Sequence, residues 1–285
     1  MNPVIGVCIA AVVAGVAPAT NSTATSKTRK AAAPIDLMWM VAQPSEGIPL
    51  APQPTNTVAL RARGARLFTK HCAACHGKRG DGQGPAAPTL AVKATDFTSA
   101  IFKVRSTPSG SLPTDADLFG TISRGLHGTE MFPWSRLSER DRWALVQRLK
   151  AFSPRFTSEA PGLPFALPTP LPAETDTLQA KGKALYERLR CGACHGATGG
   201  GDGTAVQLYQ DAAGARAVNI RDFKKGQFLR GSEMQDIYLT LRTGLDGTPM
   251  GPYNDLATSD LWALAAQVRN LVQRRASPER MPQPQ

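Results

Sequence analysis

The sequence predicts an all-α protein built from two similar domains in tandem, and three observations carry that prediction. The text around two short cysteine clusters repeats at a constant offset of 119 residues. Apolar residues near both ends of each repeat recur every three or four positions, the period of a helix with one buried face. Neither repeat contains a convincing apolar–polar alternation of the kind a half-buried strand needs. With 285 residues, 42% hydrophobic and 19% charged, the chain is too apolar for a disordered tail and long enough for two ordinary domains. Its 26 glycines and 23 prolines point to long loops between the helices.

The chain starts with a segment that reads as an address. Residues 1–26 carry no charged side chain, and Pro3 to Ala19 is a run of Val, Ile, Ala and Gly ending Ala17-Pro18-Ala19. Residues 1–19 therefore read as a signal peptide with a small-residue cleavage site, which implies export. As a helix the run falls short of a hydrocarbon core of about 30 Å, so cleavage is favoured over an uncleaved anchor, and membrane association is left open. Cys8 sits inside this run with only seven residues before it and is read as a small apolar residue, not a lipid attachment point. Residues 20–56, rich in Ser, Thr, Ala and Pro, form a leader arm with a basic patch at Lys27, Arg29 and Lys30. Its apolar stretch Leu37 to Ala42 is expected to pack on the body of the protein.

The first domain spans 57–152 and the second 173–275, followed by a tail, 276–285. Leu60, Gly64, Leu67 and Phe68 share a helical face ahead of the first cluster, as Gly182, Leu185 and Tyr186 do ahead of the second. Ser138-x-x-Asp141 resembles a capping box that opens a helix with Trp143, Val146, Leu149 and Phe152 on one face. The second copy repeats that face with Trp262, Ala265, Val268 and Leu271. Between the domains, residues 153–172 hold six prolines, which favours an extended, semi-rigid linker.

The clusters are Cys72-Ala73-Ala74-Cys75-His76 and Cys191-Gly192-Ala193-Cys194-His195. Two thiols two residues apart, followed at once by an imidazole, form an attachment site for a c-type haem: the sulfurs bond the porphyrin and the imidazole binds iron. A zinc site would have to recruit both pairs, and a thioredoxin-like dithiol needs a βαβ setting that is absent. From His76 to Met131 is 55 residues, and from His195 to Met250 is also 55. Gly125, Leu126, Gly128 and Thr129 before the first methionine map onto Gly244, Leu245, Gly247 and Thr248 before the second.

On these residues each half resembles a class I cytochrome c domain, and the chain resembles an exported bacterial diheme cytochrome c. The matching text is a helix, C-x-x-C-H-Gly, a Gly-Asp-Gly turn (Gly80-Asp81-Gly82 and Gly201-Asp202-Gly203), a Gly-Thr-x-Met loop and a terminal helix bearing a Trp. The resemblance implies two covalently bound haem c groups, with His76 and His195 as proximal ligands and Met131 and Met250 as distal ligands. It also implies that Gly64 and Phe68 pack with Trp143, and Gly182 and Tyr186 with Trp262. The second copy holds one more residue between that Gly and its first Cys. Arg105 and Arg230 resemble the arginines that hold haem propionates, although their offset is 125 instead of 119. Trp134 and Tyr253 are read as propionate donors or core residues. His127 stands four residues before Met131 as a rival ligand, but its counterpart is Asp246, which favours a solvated loop histidine. His71 is read as a surface residue and Met234 as a packing residue.

The net charge of +11 is uneven: residues 55–153 carry 15 Lys and Arg against 7 Asp and Glu, and 173–275 carry 13 against 11. A basic first domain is steered toward an acidic redox protein partner. No nucleic-acid-binding motif is present. His/Met coordination leaves no exchangeable position and suits electron transfer between periplasmic or membrane partners. A haem enzyme, such as a diheme peroxidase or sulfur-compound dehydrogenase, needs an open iron or a cysteine ligand, and the spare cysteine is Cys8 in the leader. The expectation is an electron carrier and not an enzyme. A fixed subunit of a larger oxidoreductase is the other reading, and Leu118-Phe119 through Met131 looks like diheme cytochromes that serve periplasmic molybdenum dehydrogenases.

Overall fold

Helix caps and helical apolar faces fix where the chain folds, and all regular structure among the described residues is helical. A computed structural model describes residues 52–205 and 220–273, the side chain of residue 273 excepted. The segment read as a signal peptide, with Cys8, the segment read as a leader arm up to residue 51 and the tail 276–285 lie outside the described residues.

In the first domain, α1 (Val58–His71) leads into the one-turn α2 (Ala73–His76), and α3 (Asp115–Arg124) and α4 (Glu139–Lys150) follow after a long loop. The second domain repeats the order with α6 (Asp176–Arg188), α7 (Gly192–His195), α8 (Met234–Thr243) and α9 (Thr258–Gln273). Threonine caps set the starts: Thr57 accepts from the Leu60 N–H and Thr175 from the Leu178 N–H, each at 3.1 Å. Thr114 and Asp117 form a reciprocal capping box on α3. Each such cap is worth about 1 kcal/mol because it satisfies a backbone donor that the helix cannot.

Within each domain the first long helix crosses the last, α1 on α4 and α6 on α9. The crossing is close because glycine stands at the contact. A Cβ on Gly64 would lie 2.0 Å from the Ala144 carbonyl oxygen, and one on Gly182 would lie 1.9 Å from that of Ala263. The two crossings are therefore equivalent despite the extra residue in the second copy. That residue is absorbed past the end of α6, where Arg190 takes a left-handed φ of 57°. In the first domain α1 runs on to His71, directly ahead of Cys72.

Phe68 and Trp143 share the first core and Tyr186 and Trp262 the second, as the resemblance implies, while the ring stacks are made with other partners. Trp143 stacks on Phe119 of α3 at 4.4 Å and Trp262 on Tyr238 of α8 at 4.3 Å. Phe68 instead meets Phe152 at 4.8 Å and Phe97 at 6.2 Å. Met234 is buried in the second core, as its reading as a packing residue expects.

The Pro-rich stretch is not extended throughout. Residues Arg155–Ser158 form a short helix, α5, and Phe156 packs on the first core. Further along, Phe165 donates its N–H to the Ser106 carbonyl at 2.8 Å while its ring packs on the second core beneath Arg242. The linker thus touches both domains.

Candidate functional site

Each cysteine cluster is wound into a single helical turn by the bonds its sequence allows. His76 N–H donates to Cys72 C=O at 2.9 Å and His195 N–H to Cys191 C=O at 3.0 Å. The glycine after each histidine has φ of 75° or 77°, and a side chain there would strike Asp81 or Asp202 at 2.2 or 2.0 Å. These aspartates belong to the Gly-Asp-Gly turns, which fold back so that Gly82 N–H and Gly201 N–H reach the His76 and His195 carbonyls, both at 2.9 Å. All four thiols are free of disulfide. Burial pushes the Cys72 thiol up to about 12, and burial raises Cys75 and Cys191 as well.

The imidazoles are held from one nitrogen. The His76 Nδ1 lies 3.1 Å from the Thr95 carbonyl and the His195 Nδ1 lies 3.5 Å from the Arg221 carbonyl. A proton on Nδ1 leaves the Nε2 lone pair as the metal-binding face. Burial holds both histidines below the ordinary imidazole range, against a smaller opposing effect of those carbonyls. Each ring also stacks on a phenylalanine, Phe97 or Phe223, at 4.5 Å and 24° in both domains.

Sequence periodicity does not single out these phenylalanines. His76 to Phe97 is 21 residues and His195 to Phe223 is 28, whereas from there to Gly125 and Gly244 it is 28 and 21. The length is redistributed on either side of the shared Asp-Phe dipeptide, so a fixed offset of 119 passes over it. The same redistribution accounts for the odd offset between Arg105 and Arg230.

The methionine loops are near-duplicates. Leu126 N–H donates to Met131 C=O at 2.9 Å and Met131 N–H to Thr129 Oγ1 at 3.1 Å. In the second domain the equivalent bonds, Leu245 to Met250 and Met250 to Thr248, are 2.8 and 3.2 Å. Both methionines are half-buried. The loops come back to the cysteine clusters: the Trp134 ring lies tilted against His71 at 4.9 Å, and Tyr253 and Cys191 pack on the same core. Glu130, next to Met131, lies close enough to Cys75 for its charge to raise that thiol. His71 is thus half-buried against an indole and not a free surface residue. His127 is exposed.

The two arginines part company. Arg105 is fully buried, and its Nε, Nη1 and Nη2 all donate to protein oxygens, on Pro108, Phe102, Thr243 and Asp246. Four of its five N–H groups are thus engaged, so Arg105 joins the domains and keeps one Nη1 N–H without an acceptor among the described residues. Arg230 donates to the Arg105 carbonyl and keeps a buried Nε with no acceptor among the described residues. A buried guanidinium nitrogen without a partner is costly unless an anion completes it, so Arg230 retains a donor suited to a carboxylate.

The residues present fit a haem in each domain: two unpaired thiols one turn apart, an imidazole with Nε2 uncommitted, and a thioether-bearing loop returning to the same cluster. Among the described residues, no group of three or more His, Cys, Asp and Glu side chains is placed to hold a metal, which disfavours a zinc site shared between the clusters.

Residues 61–151 and 179–271 each match the cytochrome c family. The chain belongs to the cytochrome c family, with two class I domains in tandem, and it binds two covalently attached haem c groups. It is similar to a chain of the Kuenenia stuttgartiensis reducing HAO-like protein complex Kustc0457/Kustc0458, with 36% identity and a TM-score of 0.71 over 79% of this chain and 100% of that one. Among curated proteins there is no match.

Proposed function

We propose that this haem electron-transfer protein is a periplasmic diheme carrier in which His76 with Met131 and His195 with Met250 are the axial ligands. The observation that carries this reading is the duplication of the site's parts: the same turn, the same Nδ1–carbonyl bond, the same stacked phenylalanine and the same loop bonds occur twice. When bound, the haem supplies one-electron cycling between ferrous and ferric iron. The chain's own residues do the rest: Thr95 and Arg221 fix the imidazoles, the phenylalanines keep water from them, and the loops present the thioethers. A thioether ligand favours the ferrous state and leaves no position for a substrate.

The test is spectroscopic. The wild-type protein should show two low-spin couples in a redox titration, with the thioether-to-iron charge-transfer band in the ferric form. Met250→Ala should abolish that band for one haem, lower its potential and admit an external ligand. An unchanged potential removes Met250 from the site, and high-spin character at either iron in the wild type overturns the carrier reading for that domain.

A second reading is favoured by the structural likeness. The matched chain lies within a protein complex with a second component, and the present chain covers all of it. We infer that this protein acts as an electron-transfer subunit docked on a larger oxidoreductase through its basic first domain. Reduction or oxidation by an acidic partner should then slow as ionic strength rises, and a flat salt response dismisses the steering.

A further inference from the structure

The two domains belong to one compact unit, and several of the contacts that join them fall on the methionine loops. The Asp246 carboxylate, four residues before Met250, takes all its partners from the first domain. Its Oδ1 accepts from Arg105 Nη2 at 2.8 Å and Ser109 Oγ at 2.6 Å, and its Oδ2 accepts from Gly110 N–H at 2.9 Å. The Arg105 side chain is 0% exposed and that of Asp246 is 14% exposed, so solvent screens this pair little. Arg105 Nη2 also donates to the Thr243 carbonyl at 2.8 Å, where α8 ends and the loop begins.

The reverse contact is present as well. Arg221, in the second domain, donates from Nη1 to the Gly128 carbonyl of the first methionine loop at 3.1 Å. Gly128 has φ of 71°, a left-handed conformation that favours glycine, and a Cβ there would lie 2.6 Å from Arg221 Nη1, so a side chain would displace the guanidinium. The backbone carbonyl of the same Arg221 faces His195 Nδ1. One residue therefore touches the proximal ligand of its own domain and the distal loop of the other.

We propose that each domain positions the other's methionine loop: Arg105, Ser109 and Gly110 brace the Met250 loop through Asp246, and Arg221 braces the Met131 loop through Gly128. Asp246 and Arg221 are positioning residues, acting through the loops on the iron ligands. The bracing is unequal. Among the described residues, the second loop takes an ion pair and two further hydrogen bonds from the other domain and the first a single arginine–carbonyl bond, while His127, the counterpart of Asp246, is exposed. Across the interface the first loop is consequently the less braced of the two, although its Glu130 accepts from the Ala91 N–H of its own domain at 2.9 Å.

The proposal rests on Met131 and Met250 as ligands, so the test reads the loops and the irons separately in the full-length holoprotein. Hydrogen exchange follows the amides of residues 126–131 and 245–250, and redox titration with the thioether band follows each haem. Ser109→Ala and Asp246→Asn should speed exchange in the second loop roughly tenfold, the scale of one hydrogen bond to a charged acceptor, and shift the second couple. Arg221→Ala keeps the backbone carbonyl for His195 and should loosen the first loop and shift the first couple. Ser109→Ala deletes the hydroxyl of an exposed residue and should fold as wild type, which keeps the test open should the buried pair resist substitution. The proposal is overturned if Ser109→Ala leaves the second loop and couple unchanged, or if Arg221→Ala shifts the second haem alone. Should the methionine variants leave the spectra unaltered while Ser109→Ala still loosens the second loop, the bracing stands and the ligand reading falls.

Discussion

Replacing Gly64 by alanine tests the helix crossing on which the first site is built. The new Cβ would stand 2.0 Å from the Ala144 carbonyl oxygen and 2.7 Å from its carbonyl carbon. Ordinary C···O contacts begin near 3.3 Å, so α1 and α4 must part by roughly 1.3 Å. The obstacle is backbone, which no rotamer change relieves. Overpacking of a tight interface costs about 1–3 kcal/mol, and a clash of this depth lies at the upper end. Alanine returns about 1 kcal/mol of helix propensity, leaving a net loss of about 2 kcal/mol. For a domain of this size that lowers Tm by roughly 10 °C. Calorimetry and far-UV circular dichroism of the holoprotein measure it, and Gly182→Ala, at 1.9 Å from Ala263, should do the same to the second domain. An unchanged or raised Tm in either variant would refute the close-crossing argument, because only the propensity gain would then be expressed.

Two further outcomes follow from single side chains. Asp141 joins α4 to α1 through a forked contact with Arg63 and is also bonded to the capping Ser138, and the Arg63 hydrogen bond is the largest effect holding its carboxyl below the ordinary range. A depressed folded value means the stabilisation is present above the unfolded pKa, near 3.9, and is lost as pH falls through the lower folded value. Asp141→Asn should thus unfold at a lower temperature than wild type above about pH 5, with the difference closing below about pH 4; a gap that persists at the lowest pH argues against the ion pair. Phe97→Leu removes the ring stacked 4.5 Å from His76. The loss of about 1 kcal/mol of ring contact should let the imidazole reorient, broadening the low-spin electron paramagnetic resonance signal of the first haem and leaving the second sharp.

Much of the site was legible because its residues are close in sequence. Both C-x-x-C-H pentapeptides wind into one helical turn closed by their own backbone bonds, and the Gly-Asp-Gly turn and Met loop are held by bonds spanning a few residues. The equal 55-residue spacing from His76 to Met131 and from His195 to Met250 paired each loop with its cluster. Phe97 and Phe223 escaped notice because unequal loops displace them, and Thr95 and Arg221 because a backbone carbonyl can be offered by any residue. The aromatic partners of Trp143 and Trp262 depend on how α3 and α8 lie against the terminal helices, which helical spacing does not specify.

The sequence by itself determined the class, the number of haems and the local chemistry of each attachment site, since covalent order and short-range hydrogen bonding settle those. Tertiary structure alone decided what lies between the domains. Arg105 and Thr243 are 138 residues apart and meet at 2.8 Å. Nothing in the local text of an arginine states whether its guanidinium meets a propionate, a carbonyl or solvent, because that choice is made by desolvation: once the packed domains bury the charge, it must take whichever oxygens the neighbouring backbone presents.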